Sequence, residues 1–115
     1  MPSPPLAPLD HPIDLDHLAR MTLGDAVLEQ EVLAMFAEQS TRLLAAMAAL
    51  PADAGALAHK LKGSARGIGA FAVAEAAAQL ETAIRTGDNP ARAFATLKEA
   101  VAEVRAAIET ILHGS

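Results

Sequence analysis

One stretch of the chain gathers the residue types that can carry chemistry: His59-Lys60-Leu61-Lys62-Gly63-Ser64-Ala65-Arg66-Gly67-Ile68-Gly69. Ala58, Leu61, Ala65 and Ile68 are offset by three, four and three residues and so form one apolar stripe of a 3.6-residue helix. His59 lies off that stripe, on a neighbouring face with Lys62, Gly63 and Arg66, because residues three and four apart stand one above the other. An imidazole is thus flanked by two cations beside a position without a side chain. A helical glycine costs up to roughly 1 kcal/mol relative to alanine, so Gly63 one turn after the histidine asks for a reason, and room for a bulky group to approach the ring supplies one.

The pattern is a poor metal site. His11, His17 and His113 fall near the chain ends, and no carboxylate or thiol stands three or four residues from His59. Two nearby cations repel a divalent ion and attract an anion, and a phosphoryl group on or near the imidazole meets that requirement. The plain alternative is an ordinary solvent-exposed polar face. No glycine-rich loop ending in Lys-Ser or Lys-Thr is present, which argues against ATP hydrolysis. Glu75 and Glu81 are available carboxylates further along the chain. The expectation for both is solvated helix surface, since a pair for acid–base work needs positions matched across a cleft.

The elements that must position this stretch are helical. With 115 residues there is room for one domain. Hydrophobic residues make up 52% of the chain, much of it alanine, and Phe36, Phe71 and Phe94 are the only aromatics. Such a chain packs helices closely around Leu, Ile, Val and Met and is poor material for a broad sheet. The formal charge of −5 and the lack of a basic run argue against nucleic acid as a partner. The chain has no cysteine, no apolar run of the eighteen or so residues that cross a membrane, and no secretory signal pattern, so a cytoplasmic location is expected.

Residues 1–12, with Pro2, Pro4, Pro5, Pro8 and Pro12, read as a flexible lead, and residues 13–113 as the folded domain. Asp14 is placed to cap a short helix carrying Leu15, Leu18 and Met21, with Ile13 and Leu18 as a hydrophobic staple. Thr22 and Asp25 have the spacing of a capping box for a second helix, in which Leu28, Val32, Met35, Phe36, Gln39, Leu43, Met47 and Leu50 run at helical spacing and which should continue to about Ala49 before Pro51. Asp53 is the expected N-cap of the third helix, which should end between Gly67 and Gly69. A fourth runs from about Phe71 to Thr86 with Val73, Ala77, Leu80 and Ile84 inward and Gly87 as its cap. Asn89-Pro90 opens the last, with Phe94, Leu97, Val101, Val104, Ile108 and Ile111 at spacings of three and four. The expected fold is all-α: an antiparallel four-helix bundle with a short additional N-terminal helix.

His59-Lys60-Leu61-Lys62-Gly63-Ser64-Ala65, followed by Gly69-Ala70, resembles the signature of histidine-containing phosphotransfer (HPt) domains of bacterial two-component phosphorelays. The resemblance covers roughly Asp14 to Leu112 and is supported by the Phe36 region, the Leu80-Glu81 pair and the helix order. It implies an exposed histidine that accepts a phosphoryl group from a receiver-domain aspartate and passes it to another. On that resemblance His59 is the phosphorylated histidine, Lys62 stabilises the phosphoryl charge, Gly63 leaves the ring accessible and Gly69 is the glycine at the following turn. Gln39 matches, more loosely, a polar residue near the histidine on the neighbouring helix. Lys60, Ser64, Arg66 and Gly67 border the expected partner surface. The implied partners are a response-regulator receiver domain and the receiver domain of a hybrid histidine kinase, with no intrinsic cofactor and Mg2+ supplied by the partner. The chain is expected to be a monomer and a phosphoryl carrier rather than a stand-alone kinase. A non-phosphorylated helical adaptor and the dimerisation domain of a sensor kinase are the competing readings.

Overall fold

The computed structural model describes residues 12–113, all of whose regular elements are helices: α1 (Leu15–Met21), α2 (Ala26–Met47), α3 (Ala54–Ile68), α4 (Phe71–Thr86) and α5 (Pro90–His113). Residues 1–11 of the expected N-terminal lead lie outside the described residues. α2 packs on α3, α3 on α4, α4 on α5, and α5 back on α2, so the four long helices close a ring in chain order. Short connections between successive helices make neighbours antiparallel. α1 lies against α3, at the end where α3 stops.

Each long helix contributes one buried stripe. On α3 it is Ala54, Ala58, Leu61, Ala65 and Ile68; on α4, Val73, Ala77 and Leu80; on α5, Leu97, Val101, Val104 and Ile108. α2 departs from expectation. Its buried stripe is Leu33, Phe36, Ser40, Leu43 and Met47, while Leu28 and Met35 are exposed. Phe36, Leu43 and Met47 set the phase, and counting back by three and four from them selects Ser40 and Leu33. The buried Ser40 hydroxyl is satisfied by donating to the Ala37 carbonyl at 3.1 Å. Ile111 on α5 is likewise exposed.

The helix ends refine the expected caps. Asp14 caps α1 through the His17 amide at 3.0 Å. Thr22 does not cap α2. It closes α1, its hydroxyl donating to the Leu18 carbonyl at 2.8 Å, and Asp25 takes the cap of α2 by accepting from the Leu28 amide at 3.1 Å. α2 stops at Met47, two residues earlier than expected, because the chain already turns through Leu50 (φ +50°) ahead of Pro51. Asp53 occupies the position before α3 but makes no capping hydrogen bond there. Asn89 accepts from the Arg92 amide at 3.3 Å at the start of α5.

Gly69 is the hinge between the site helix and the rest. It ends α3 in the left-handed region (φ +82°), and its carbonyl accepts the Asp14 amide at 2.9 Å. A side-chain carbon at residue 69 would stand 2.8 Å from the Asp14 carbonyl oxygen, so both the backbone conformation and the approach of α1 require glycine.

Candidate functional site

α3 buries Leu61 and Ala65 against the ring and thereby turns its opposite side to solvent. His59 projects from that side, with its side chain 70% exposed. α3 and α4 form the most extensive pairing in the bundle, helped by the alanines of α4, and the close approach brings Glu81 of α4 to the middle of α3. The Glu81 carboxylate lies between two residues of the motif. Its Oε2 is 3.0 Å from His59 Nδ1, and its Oε1 is 2.6 Å from Lys62 Nζ. The Lys62 contact is an ion pair by distance, with angles outside those of a directed hydrogen bond.

The electrostatics of the three groups follow from their exposure. Lys62 and Glu81 keep only 17% and 21% of their side-chain surface in water. Burial pushes the Glu81 carboxyl up, but the contacts of Lys62 and His59 outweigh it and hold that carboxyl below its ordinary range. Glu81 is therefore ionised at neutral pH and can only accept. In the neutral His59 ring the proton then resides on Nδ1, which donates to Glu81, and the lone pair resides on Nε2, at the other side of the ring. The site is an imidazole with one nitrogen anchored to a carboxylate, the other available as a nucleophile, and an ammonium one turn away.

Glu81 was expected on solvated surface with Glu75. Glu75 is exposed; Glu81 is drawn into the site. The hydrogen-bond partner of the His59 ring is this α4 residue, and Gln39 is half-buried on α2. Lys62, one of the two cations read beside His59, is neutralised in part by Glu81. Arg66 and Lys60 are exposed, and Ser64 is half-buried. Gly63 and Gly67 lie within α3, and a side-chain carbon added at either would meet nothing within 4 Å. The chain's own packing gives no reason for glycine at these two positions. Among the described residues no group of three His, Asp or Glu side chains is arranged to hold a metal ion, and no helix is long and apolar enough to cross a membrane.

Comparison with curated proteins and with solved structures found no match. A family model does match: the Hpt domain, over residues 31–107. The matched span takes in most of α2, all of α3 and α4 and most of α5, and so contains His59, Lys62 and Glu81 together. An exposed histidine held by a lysine–glutamate pair on a closed four-helix ring, within a span matching that family over more than half the chain, places this chain in the Hpt domain family.

Proposed function

We propose that the chain serves its phosphorelay as a phosphoryl carrier, with His59 as the group that takes and returns the phosphoryl. The observation that carries this reading is the orientation of the ring: Nδ1 is tied to the Glu81 carboxylate at 3.0 Å, and the imidazole is otherwise open to solvent. The lone pair on Nε2 attacks the phosphorus of an aspartyl phosphate on a receiver domain. The N–P bond forms as the P–O bond to the aspartate breaks, and the carboxylate leaves with the bonding pair. Positive charge develops on the ring in this step, and Glu81 stabilises it through the Nδ1–H hydrogen bond. Lys62, anchored by the other oxygen of the same carboxylate, offers an ammonium to the phosphoryl oxygens. The reverse step returns the group to a second receiver. Any Mg2+ in this scheme would be held by the receiver partner and would supply charge neutralisation there.

Recognition falls on the surface around His59, where Lys60, Gly63, Ser64, Arg66 and Gly67 border the ring. The two glycines give a partner room that the bundle itself does not use. An encounter on this scale suits a transient complex, since each partner must leave after transfer.

Incubation with a radiolabelled phospho-receiver tests the reading. Label should move to the wild type and not to His59→Gln. Transfer retained by the variant sinks the carrier assignment. Binding of the receiver without any transfer to the wild type favours an adaptor, and a dimer that persists at nanomolar concentration favours a kinase dimerisation domain.

A further inference from the structure

The face of the ring opposite the α3–α4 pair carries a second feature. Between α2 and α5 lies an open groove of about 460 Å³. Its floor includes Ala37 and Ile108, and its walls are charged, with Glu38 and Arg42 on α2 and Arg105 and Glu109 on α5. Because the two helices are antiparallel, a step of one turn forward on α2 corresponds to one turn back on α5. Arg42 therefore stands at the level of Arg105, and Glu38 at the level of Glu109. One part of the groove is doubly basic and the next turn doubly acidic. The contacts present run along each helix, an ion pair from Glu38 to Arg42 at 3.1 Å and a Glu109–His113 contact at 3.0 Å, and among the described residues no ion pair crosses the groove.

We infer that this groove is a self-association face that receives a second copy of the chain. A two-fold axis lying in the plane of the face and perpendicular to the helices turns the surface end for end while keeping α2 over α2 and α5 over α5. It sets Glu38 of each copy against Arg42 of the other, and Arg105 of each against Glu109 of the other. All four wall charges then meet opposite charges. A two-fold parallel to the helices would stack like on like, and an uncharged apolar helix would cover the Glu38–Arg42 pair and Arg105 without offering any opposite charge. The small side chain of Ala37 in the floor lets the facing helices come close. The contact spans only about two turns of each helix, well short of the roughly 1,600 Å² of a standard interface, so the dimer is weak and concentration-dependent. It also leaves His59 on the outer face of both copies, and the inference does not depend on the carrier role.

Sedimentation equilibrium of the full chain from about 10 μM to about 1 mM at low salt should show monomer giving way to a reversible dimer, with less dimer at about 0.5 M salt. The acidic variant R42E/R105E and the basic variant E38R/E109R should each remain monomeric where the wild type dimerises, and an equimolar mixture of the two should associate again. A wild type that is monomeric at 1 mM overturns the proposal, as does a dimer undiminished in either variant or a mixture that does not associate. If a variant loses its helical circular dichroism, amide NMR of the wild type on dilution substitutes for it. Shifts should then concentrate in residues 34–42 and 105–112, and shifts confined to another face overturn the inference.

Discussion

At the scale of single residues, Glu81 is the group whose place in the site changes the chemistry most. It touches both His59 and Lys62, so the three should act as a unit. Removing the carboxylate in Glu81→Ala frees the ring and Lys62 together, and loss of a hydrogen bond to a charged group, roughly 1.5–3 kcal/mol, corresponds to a transfer rate about ten- to a hundredfold lower. Lys62→Ala should also slow transfer while leaving the helical circular dichroism nearly unchanged. The double variant should be little slower than Glu81→Ala alone, and fully multiplicative effects in stopped-flow transfer assays would show that the two residues act separately. The same carboxylate gives a pH dependence of stability. Its folded value lies below the ordinary 4.5, so the pairing stabilises the fold above 4.5 and is lost as pH falls through the folded value. The advantage of wild type over Glu81→Gln in urea unfolding, not more than about 1 kcal/mol, should be flat from about pH 7 to 5 and shrink below 4.5. His59 and Lys62 were legible in the sequence because their relation is local, one turn of one helix. Glu81 was not, since its approach depends on how closely α4 lies on α3, a packing distance that periodicity does not encode.

At the scale of elements, α3 combines a face under tight core constraint with a face under almost none. Leu61 is fully buried beneath the site, and Leu61→Ala should cost about 2–5 kcal/mol through the cavity it leaves, seen as a lower urea midpoint. Gly63→Ala should do the reverse. Nothing within 4 Å opposes the added methyl group, so the helix gains up to about 1 kcal/mol, while transfer from the receiver slows as the partner meets the new carbon. A variant more stable and equally fast would remove Gly63 from the docking surface. The helices and their order were readable from apolar spacing, Pro51, Gly87 and Asn89-Pro90. The phase of α2 was less so, because Leu28 and Met35 keep helical spacing with true core positions, and a serine stood in the buried stripe where an apolar residue was expected. The role of Thr22 was misread for a related reason. A threonine three residues before an acid fits a cap, but its hydroxyl closes the helix behind it.

At the scale of the whole molecule, the overall charge of −5 contrasts with the cations Lys60, Lys62 and Arg66 gathered on one helix. If that local field guides an acidic receiver site toward His59, raising ionic strength from about 0.05 to 0.5 M should lower the bimolecular transfer rate several-fold and leave the rate within the preformed complex unchanged. The two rates separate in single-turnover kinetics at varied receiver concentration. A different property of the whole chain follows from the reversal at Gly69. The Asp14 amide reaches the Gly69 carbonyl only after the intervening α2 and α3 have packed, because before that the contact must close a loop through both helices at a cost of roughly 3–4 kcal/mol. Once the bundle exists the remaining loop is short and closure is cheap. α1 should therefore dock late in folding and open before the ring does. The Asp14 amide should exchange with solvent deuterium well before those of Leu61 and Leu80, reporting this local opening rather than global unfolding.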